Sequence, residues 1–203
     1  MMKYTGERVI PDLMKPANSL LLEHLARYQF SSYYMHGRAL DIACGSGYGS
    51  HMLAKLTKKR ISELVAVDSD PETILYANKR YNHQKVRFHC EDAADPLLPQ
   101  KLGTFDVIVT FETYEHVADE QQLLANLYAM LNPGGTLILS TPFGQGRGKP
   151  CGQPFHVHQL TVEEFHDLFP QYSEVKFYRQ IGVLIEPPRP DQKYPLGIAV
   201  CTK

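Results

Sequence analysis

The sequence predicts an α/β protein built on a mostly parallel sheet with helices on both faces. Three observations predict it. Short apolar runs of buried-strand character recur along the chain, and between most of them lie segments with apolar residues at helical spacing. The composition, 43 % apolar and 21 % charged, is that of a chain able to close a core without disulfides or metal. Across 203 residues there is no internal repeat and no composition break, so the expectation is one domain over 1–203, with 1–37 as a covering segment and 38–203 as the core.

Taken in order, a polar start through Pro11 leads to a helix over 16–30, where Leu20, Leu21, Leu25 and Tyr28 fall near helical spacing and Pro16 suits a first turn. Residues 38–43 read as a strand, followed by the turn Cys44-Gly45-Ser46-Gly47-Tyr48-Gly49 and a helix carrying Met52, Leu53 and Leu56. A second strand over 64–67 ends at Asp68. A helix then opens with Asp70 as cap and Pro71 in its first turn. Strands over 85–89 and 105–110 precede a helix over 119–131. Asn132-Pro133-Gly134-Gly135 stops that helix, and a fifth strand over 136–140 follows. A glycine- and proline-rich loop over 141–154 is a candidate lid, because long loops in compact domains are commonly functional. A helix over 161–169, a strand over 173–180, a proline-rich excursion and a terminal strand near 196–201 complete the chain, the last two strands being joined more like a hairpin.

Lys plus Arg number 21 against 22 Asp plus Glu, a net charge of −1 that leaves no positive field for a nucleic-acid backbone. A small-molecule partner is expected instead. Cys44, Cys90, Cys151 and Cys201 lie far apart without a CxxC pair, and the start lacks the apolar core of a signal peptide, so the expected setting is the reducing cytoplasm. No apolar run approaches the roughly 18 residues of a membrane span.

In parallel sheets of this kind ligands bind beyond the carboxyl ends of the strands, and the polar motifs fall there. Gly45 and Gly47 let the backbone approach a ligand, and the following helix presents free N–H groups and its positive dipole end. The spacing is GxGxG rather than the GxGxxG of a dinucleotide site. Asp68, at the end of the second strand, is placed to accept hydrogen bonds from a ribose diol. The glycine pattern is also satisfied by a plain strand-to-helix turn.

Four ordered pieces, Asp41-Ile42-Ala43-Cys44-Gly45-Ser46-Gly47-Tyr48-Gly49, Ala66-Val67-Asp68, Glu91-Asp92-Ala93 and Leu131-Asn132-Pro133-Gly134-Gly135, make residues 38–202 resemble the class I S-adenosylmethionine-dependent methyltransferases. The resemblance implies a Rossmann-like fold with seven strands, the last antiparallel, and S-adenosylmethionine as cofactor. Gly45 and Gly47 would then line its methionyl part with Asp41 near the amino group. Asp68 would hold the ribose, Asp92 and the backbone of Ala93 the adenine, and Phe111 would border the sulfonium. Thr5-Gly6-Glu7-Arg8-Val9-Ile10-Pro11 and Glu23-His24-Leu25-Ala26-Arg27-Tyr28 resemble the opening of bacterial methyltransferases of glycan and secondary-metabolite pathways.

Phe111-Glu112-Thr113-Tyr114-Glu115-His116-Val117 carries a second cluster. A helical turn there puts positions 112, 115 and 116 on one face. A similar ExxEH with a later His occurs in small-RNA 2′-O-methyltransferases and ubiquinone-pathway O-methyltransferases, where it resembles a divalent-metal site. By that resemblance Glu112, Glu115, His116 and His156 would bind one divalent cation, and His116 and His156 are the candidate bases. Solvated acids with His116 capping the strand end would satisfy the same pattern. The expected activity is methyl transfer to a small acceptor, by preference at a hydroxyl oxygen. The rival expectations are a nicotinamide-dependent oxidoreductase and a non-catalytic cofactor-binding module.

Overall fold

A computed structural model describes residues 8–203. Eight strands form one sheet in the order β3-β2-β1-β4-β5-β8-β6-β7. Strands β1 (Gly37–Ile42), β2 (Ile61–Asp68), β3 (Val86–Cys90), β4 (Phe105–Phe111) and β5 (Leu131–Pro142) run parallel, while β8 (Leu196–Thr202) lies antiparallel between β5 and β6 (Glu174–Ile181). The eighth strand, β7 (Leu184–Glu186), is a three-residue hairpin return on β6 inside the proline-rich excursion. It raises the expected count of seven. Pro187 and Pro188 follow it at once, and proline cannot extend a ladder, which keeps this edge short.

Strand alternation builds a core on each face. On β1, Leu40 and Ile42 pack with Leu98, Leu123, Leu127 and Phe165 beneath α4 (Leu98–Leu102), α5 (Glu120–Ala129) and α6 (Val162–His166). Ala39 packs on the other face with Leu21, Tyr28, Leu53 and Ile74 of α1 (Ser19–Ser31), α2 (Tyr48–Leu56) and α3 (Pro71–Arg80). Asp41, two residues after Ala39, therefore points into the α1–α2 side. The cap at Asp70 is as read from sequence: its side chain accepts the Glu72 N–H with Pro71 in the first turn; Asp119, accepting from Gln122, is a second cap that the sequence reading did not name.

Several boundaries differ: α1 begins at Ser19 rather than 16, β2 at Ile61 rather than 64, and α4 has no counterpart in the sequence reading. The fifth strand starts at Leu131 rather than 136, because Leu131 already pairs with Phe105 and Asn132-Pro133-Gly134-Gly135 is an irregularity inside the strand. Gly134 donates to the Lys203 carbonyl and Lys203 to that of Gly135, at 3.0 Å each, so the terminus ties the irregularity down. Helix α6 ends at His166, short of the expected 169. All four cysteines are free. Among the described residues no helix is long and apolar enough to cross a membrane.

Candidate functional site

The β1–α2 turn makes the floor of the site. Ala43, Gly45 and Gly47 have φ of +57°, +54° and +87°, three left-handed residues in five, which swing the chain across the strand ends. Gly47 is required by packing, since a Cβ there would sit 2.7 Å from that of Ala77 and 2.9 Å from the Phe88 ring. At Gly45 a Cβ would meet nothing within 4 Å. Its open side faces a cavity. The Asp68 carboxylate accepts the N–H of Gly45 through one oxygen and that of Asp70 through the other, both at 3.0 Å, fixing the turn to the end of β2.

Two adjoining cavities lie on this floor. One of about 560 Å³ is lined by Val67, Asp68, Asp92, Ala93, Thr113 and Val117 among others. The second, about 310 Å³, is enclosed by Val9, His24, Tyr28, Gly45, Phe111 and Phe155. Ala43, Asp68, Ser69, Glu112 and His116 line both, so the two lie side by side across these residues. Asn126 donates to the carbonyls of Ala93 and Asp95 at 2.8 Å and so holds the rim beside Asp92. Phe111 is buried edge-on against Tyr28, ring centres 5.1 Å apart.

Asp41 and Gly47 line neither cavity and support the turn from behind instead. Asp41 accepts from Ser50 Oγ at 2.6 Å and Tyr28 Oη at 3.3 Å. Burial pushes its carboxyl up to about 7 against the pull of those two hydrogen bonds. Arg8 and Val9 lie over the glycine turn: Arg8 pairs with Asp70 at 2.7 Å and Ser46 Oγ donates to the Val9 carbonyl at 2.8 Å. Thr5, Gly6 and Glu7 of the opening motif lie outside the described residues.

Beyond β4 the expected single face splits. Glu112 precedes the turn, at φ +48°, and only Tyr114–His116 form a 3₁₀ turn. The left-handed backbone leaves the Glu112 carboxylate with α1, where it accepts from Arg27 Nη2 and lies 3.2 Å from His24 Nε2. Burial raises its pKa, but the Arg27 charge and the His24 bond outweigh that and bring it down to about 2. Arg27, 1 % exposed, also donates to Gln180 at 2.8 Å, linking α1 to β6.

Glu115, His116 and His156 are the residues that do come together, with one ligand atom of each inside a mutual 4.8 Å. Glu112 is not part of that group. The candidate lid delivers His156: Phe143 bridges Leu160, the Val157 N–H reaches the Glu115 carbonyl at 2.8 Å, and His116 Nδ1 meets the Phe155 carbonyl at 3.0 Å. Arg147 clamps the loop through Glu120 and the Tyr114 hydroxyl. Glu115 takes the Thr141 hydroxyl on Oε2 at 3.0 Å, while Oε1 is buried with no hydrogen-bond partner. Burial and the Glu112 charge push Glu115 up to about 8.

His24 and Arg27, which the opening motif contains without giving them a role, and Gln180, which no motif contains, are the residues of this site that sequence reasoning missed. The signal for the first two was an i, i+3 pair on α1 whose partner lies 85 residues or more away.

A glycine-rich β1–α2 turn, an acid closing β2 and a cavity along the parallel strand ends define a Rossmann-like, cofactor-binding α/β protein. The comparisons narrow that class. A methyltransferase-domain family matches residues 40–139. A Mycolicibacterium smegmatis protein described as a probable S-adenosylmethionine-dependent methyltransferase is 32 % identical over 169 residues, which is 81 % of this chain and 62 % of that protein. The malonyl-[acyl-carrier protein] O-methyltransferase of Bacillus cereus is 36 % identical over 127 residues, 63 % of this chain and 44 % of that one. Among solved structures, the plantazolicin methyltransferase BpumL, in complex with a desmethyl-plantazolicin analogue and S-adenosylhomocysteine, shares the fold with a TM-score of 0.68 at 20 % identity, over 90 % of this chain and 85 % of that one. The chain belongs to the class I S-adenosylmethionine-dependent methyltransferases. It spans 62 % and 58 % of the length of the first mycobacterial relatives it matches.

Proposed function

We propose that the protein transfers the methyl group of S-adenosylmethionine to a hydroxyl of a small molecule. The observation that carries this reading is the pair of adjoining cavities at the strand ends, with Asp68 and Gly45 on their floor and Asp92 and Ala93 on the rim. In it Asp68 takes the ribose, the Asp92–Ala93 edge the adenine, and the space between Gly45 and Phe111 the methionyl part. Asp41, directed at Ser50 and Tyr28, acts by holding the turn.

The sulfonium already activates the methyl group. The chain has to align donor and acceptor in line and keep water out, which the Arg8–Val9 cover and the Phe155 wall favour. The hydroxyl preference follows the His and carboxylate groups around the second cavity, since a hydroxyl must lose a proton as it is methylated.

The same reading gives Glu115, His116 and His156 one divalent cation, supported by their mutual distances and by the partnerless Oε1 of Glu115. Such an ion would supply Lewis acidity toward an acceptor oxygen. His116 and His156 then serve as ligands rather than as the bases the sequence suggests. A cytoplasmic setting is part of the proposal, supported by the four free cysteines.

Calorimetric titration with S-adenosylhomocysteine and with NAD tests the cofactor, and methyl transfer from labelled S-adenosylmethionine to hydroxyl acceptors tests the activity. Binding of NAD alone would give the oxidoreductase reading, and S-adenosylhomocysteine binding without transfer to any acceptor the non-catalytic module.

A further inference from the structure

Three residues from two distant parts of the chain form a hydrogen-bonded line that ends in the second cavity. Arg27, fully buried on α1, donates to Glu112, and Glu112 lies 3.2 Å from His24 Nε2. Glu112 adopts a left-handed φ of +48°, a conformation that a non-glycine residue holds only when its surroundings fix it. Arg27 is fixed in turn by Gln180, whose amide donates to the Glu23 and Gly182 carbonyls, so α1, the end of β4 and the β6–β7 turn hold one another.

The line has a direction. An ionised carboxylate can only accept, so the Nε2–H of a neutral His24 donates to Glu112, and the lone pair is left on Nδ1. Nδ1 makes no hydrogen bond among the described residues, and His24 lines the cavity that also holds Gly45, Phe111 and His116. A carboxylate that fixes the tautomer of a histidine on the wall of a reaction space, with the second ring nitrogen left as an acceptor, is the arrangement of a general base.

We propose that His24, oriented by Glu112 and anchored through Arg27, is the base that takes the proton of the methyl-accepting group. The inference rests on the methyltransferase reading. In the step, the acceptor oxygen forms its bond to the methyl carbon as the sulfur–methyl bond breaks. The S–C electron pair stays on sulfur, which becomes a neutral thioether. The acceptor's proton passes to His24 Nδ1, and the imidazolium returns it to solvent.

The electrostatics suit that task. Burial lowers the His24 pKa, and the Arg27 charge lowers it further, while Glu112 and Glu23 oppose them. Burial and the Arg27 charge thus favour the neutral imidazole, the form able to accept. Glu112 and Arg27 are positioning residues in this scheme.

Two measurements on the full chain test it. The first is carbethoxylation by diethyl pyrocarbonate, read by peptide mass spectrometry. His24 is expected to react at pH 7.5 and to be shielded by S-adenosylhomocysteine. No label on His24 would mean that its ring is closed to the cavity, and would overturn the proposal whatever the acceptor. The second uses a catechol as acceptor and the His24→Gln variant, whose amide still donates to Glu112 but cannot take a proton. Its kcat is expected to fall by roughly 10²- to 10⁴-fold, with loss of the acid limb of the pH profile. Unchanged kcat in His24→Gln removes the base role. Wild-type protein that binds no S-adenosylhomocysteine, or transfers no methyl to any hydroxyl acceptor, instead sinks the methyltransferase reading, and the labelling result still decides whether His24 is an open base.

Discussion

The carboxylate of Asp68 accepts the backbone N–H of Gly45 at 3.0 Å, so the acid at the end of β2 and the glycine turn after β1 are one unit before any ligand binds. Its other oxygen takes the Asp70 N–H. A carboxylate held in this way is preorganised, and its remaining acceptor capacity faces the larger cavity. Replacing Asp68 by Ala should weaken S-adenosylhomocysteine binding by roughly 1.5–3 kcal/mol, about 10- to 150-fold in Kd. Asp68→Asn, which keeps one acceptor, should lose less. Calorimetry decides it, with circular dichroism to confirm folding; affinity equal to wild type in a folded Asp68→Ala would take Asp68 out of the site.

Two glycines four residues apart should respond to alanine in opposite ways. A Cβ on Gly49 would lie 1.9 Å from the Tyr28 ring, the ring that also meets Phe111 and Asp41. Gly49→Ala is therefore expected to cost about 1–3 kcal/mol of stability through overpacking. A Cβ on Gly45 meets only the cavity, so Gly45→Ala should cost about 1–2 kcal/mol for its left-handed φ and mainly weaken cofactor binding. Urea unfolding and calorimetry on both variants separate the effects. Equal loss of affinity at equal stability would contradict the division.

Asp41 makes stability depend on pH with a definite sign. Its carboxyl titrates at about 7 in the folded chain and at about 3.9 when unfolded. Between those values the native state keeps a proton that the unfolded state releases, so this group's contribution to stability falls as pH rises from about 4 to about 7 and is level above that. Asp41→Asn removes the titration. Comparing urea midpoints of wild type and variant at pH 5 and pH 7.5, the gap should shift in favour of the variant at the higher pH; a gap independent of pH would mean that Asp41 is ionised throughout.

Much of this was legible in the sequence, and the misses have physical causes. The apolar pattern located all five parallel strands, most clearly β1, β2, β4 and β5, whose continuous apolar runs are buried on both faces, whereas β3 lies at the sheet edge and buries only Val86. Asp68, Asp92, Ala93 and Phe111 sit at strand ends, where topology alone puts them against the cavity. The β7 return was hidden because three residues are too few for a period to appear. Glu112 was assigned to the wrong group because helical spacing was assumed through a residue whose φ is positive, and only Arg27 on a distant helix explains where its carboxylate goes. His24 had no partner in sequence for the same reason.

The Arg27–Glu112 pair should be the costliest single contact to halve. Arg27→Met leaves a carboxylate whose surroundings were built around a cation, and breaking one side of a buried pair costs about 3–5 kcal/mol. The Glu112 side chain keeps 26 % exposure, so the lower end of that range is expected. Arg27→Met combined with Glu112→Gln should recover part of the loss. A double-mutant cycle by urea unfolding measures the coupling, and additive losses would deny it.

Glu115, His116 and His156 present one oxygen and two nitrogens within 4.8 Å of one another, a mixed set that suits Mn, Fe or Zn better than Mg, which favours oxygen and retained water. The protein treated with chelator and resupplied with each metal is expected to bind one equivalent, by calorimetry and elemental analysis. Glu115→Gln and His156→Ala should each lose that binding. S-adenosylhomocysteine affinity should stay within about twofold in both variants, since neither residue lines the two cofactor cavities. Glu115→Gln carries a further distinction. Apart from the cation role, replacing a buried carboxyl that has one partnerless oxygen by a neutral amide should change stability little, so a variant that loses metal yet unfolds at the wild-type urea concentration isolates ligation from folding. Metal-free protein after resupply, or metal retained in both variants, would leave the cluster as a structural contact between the turn after β4 and the loop that carries His156.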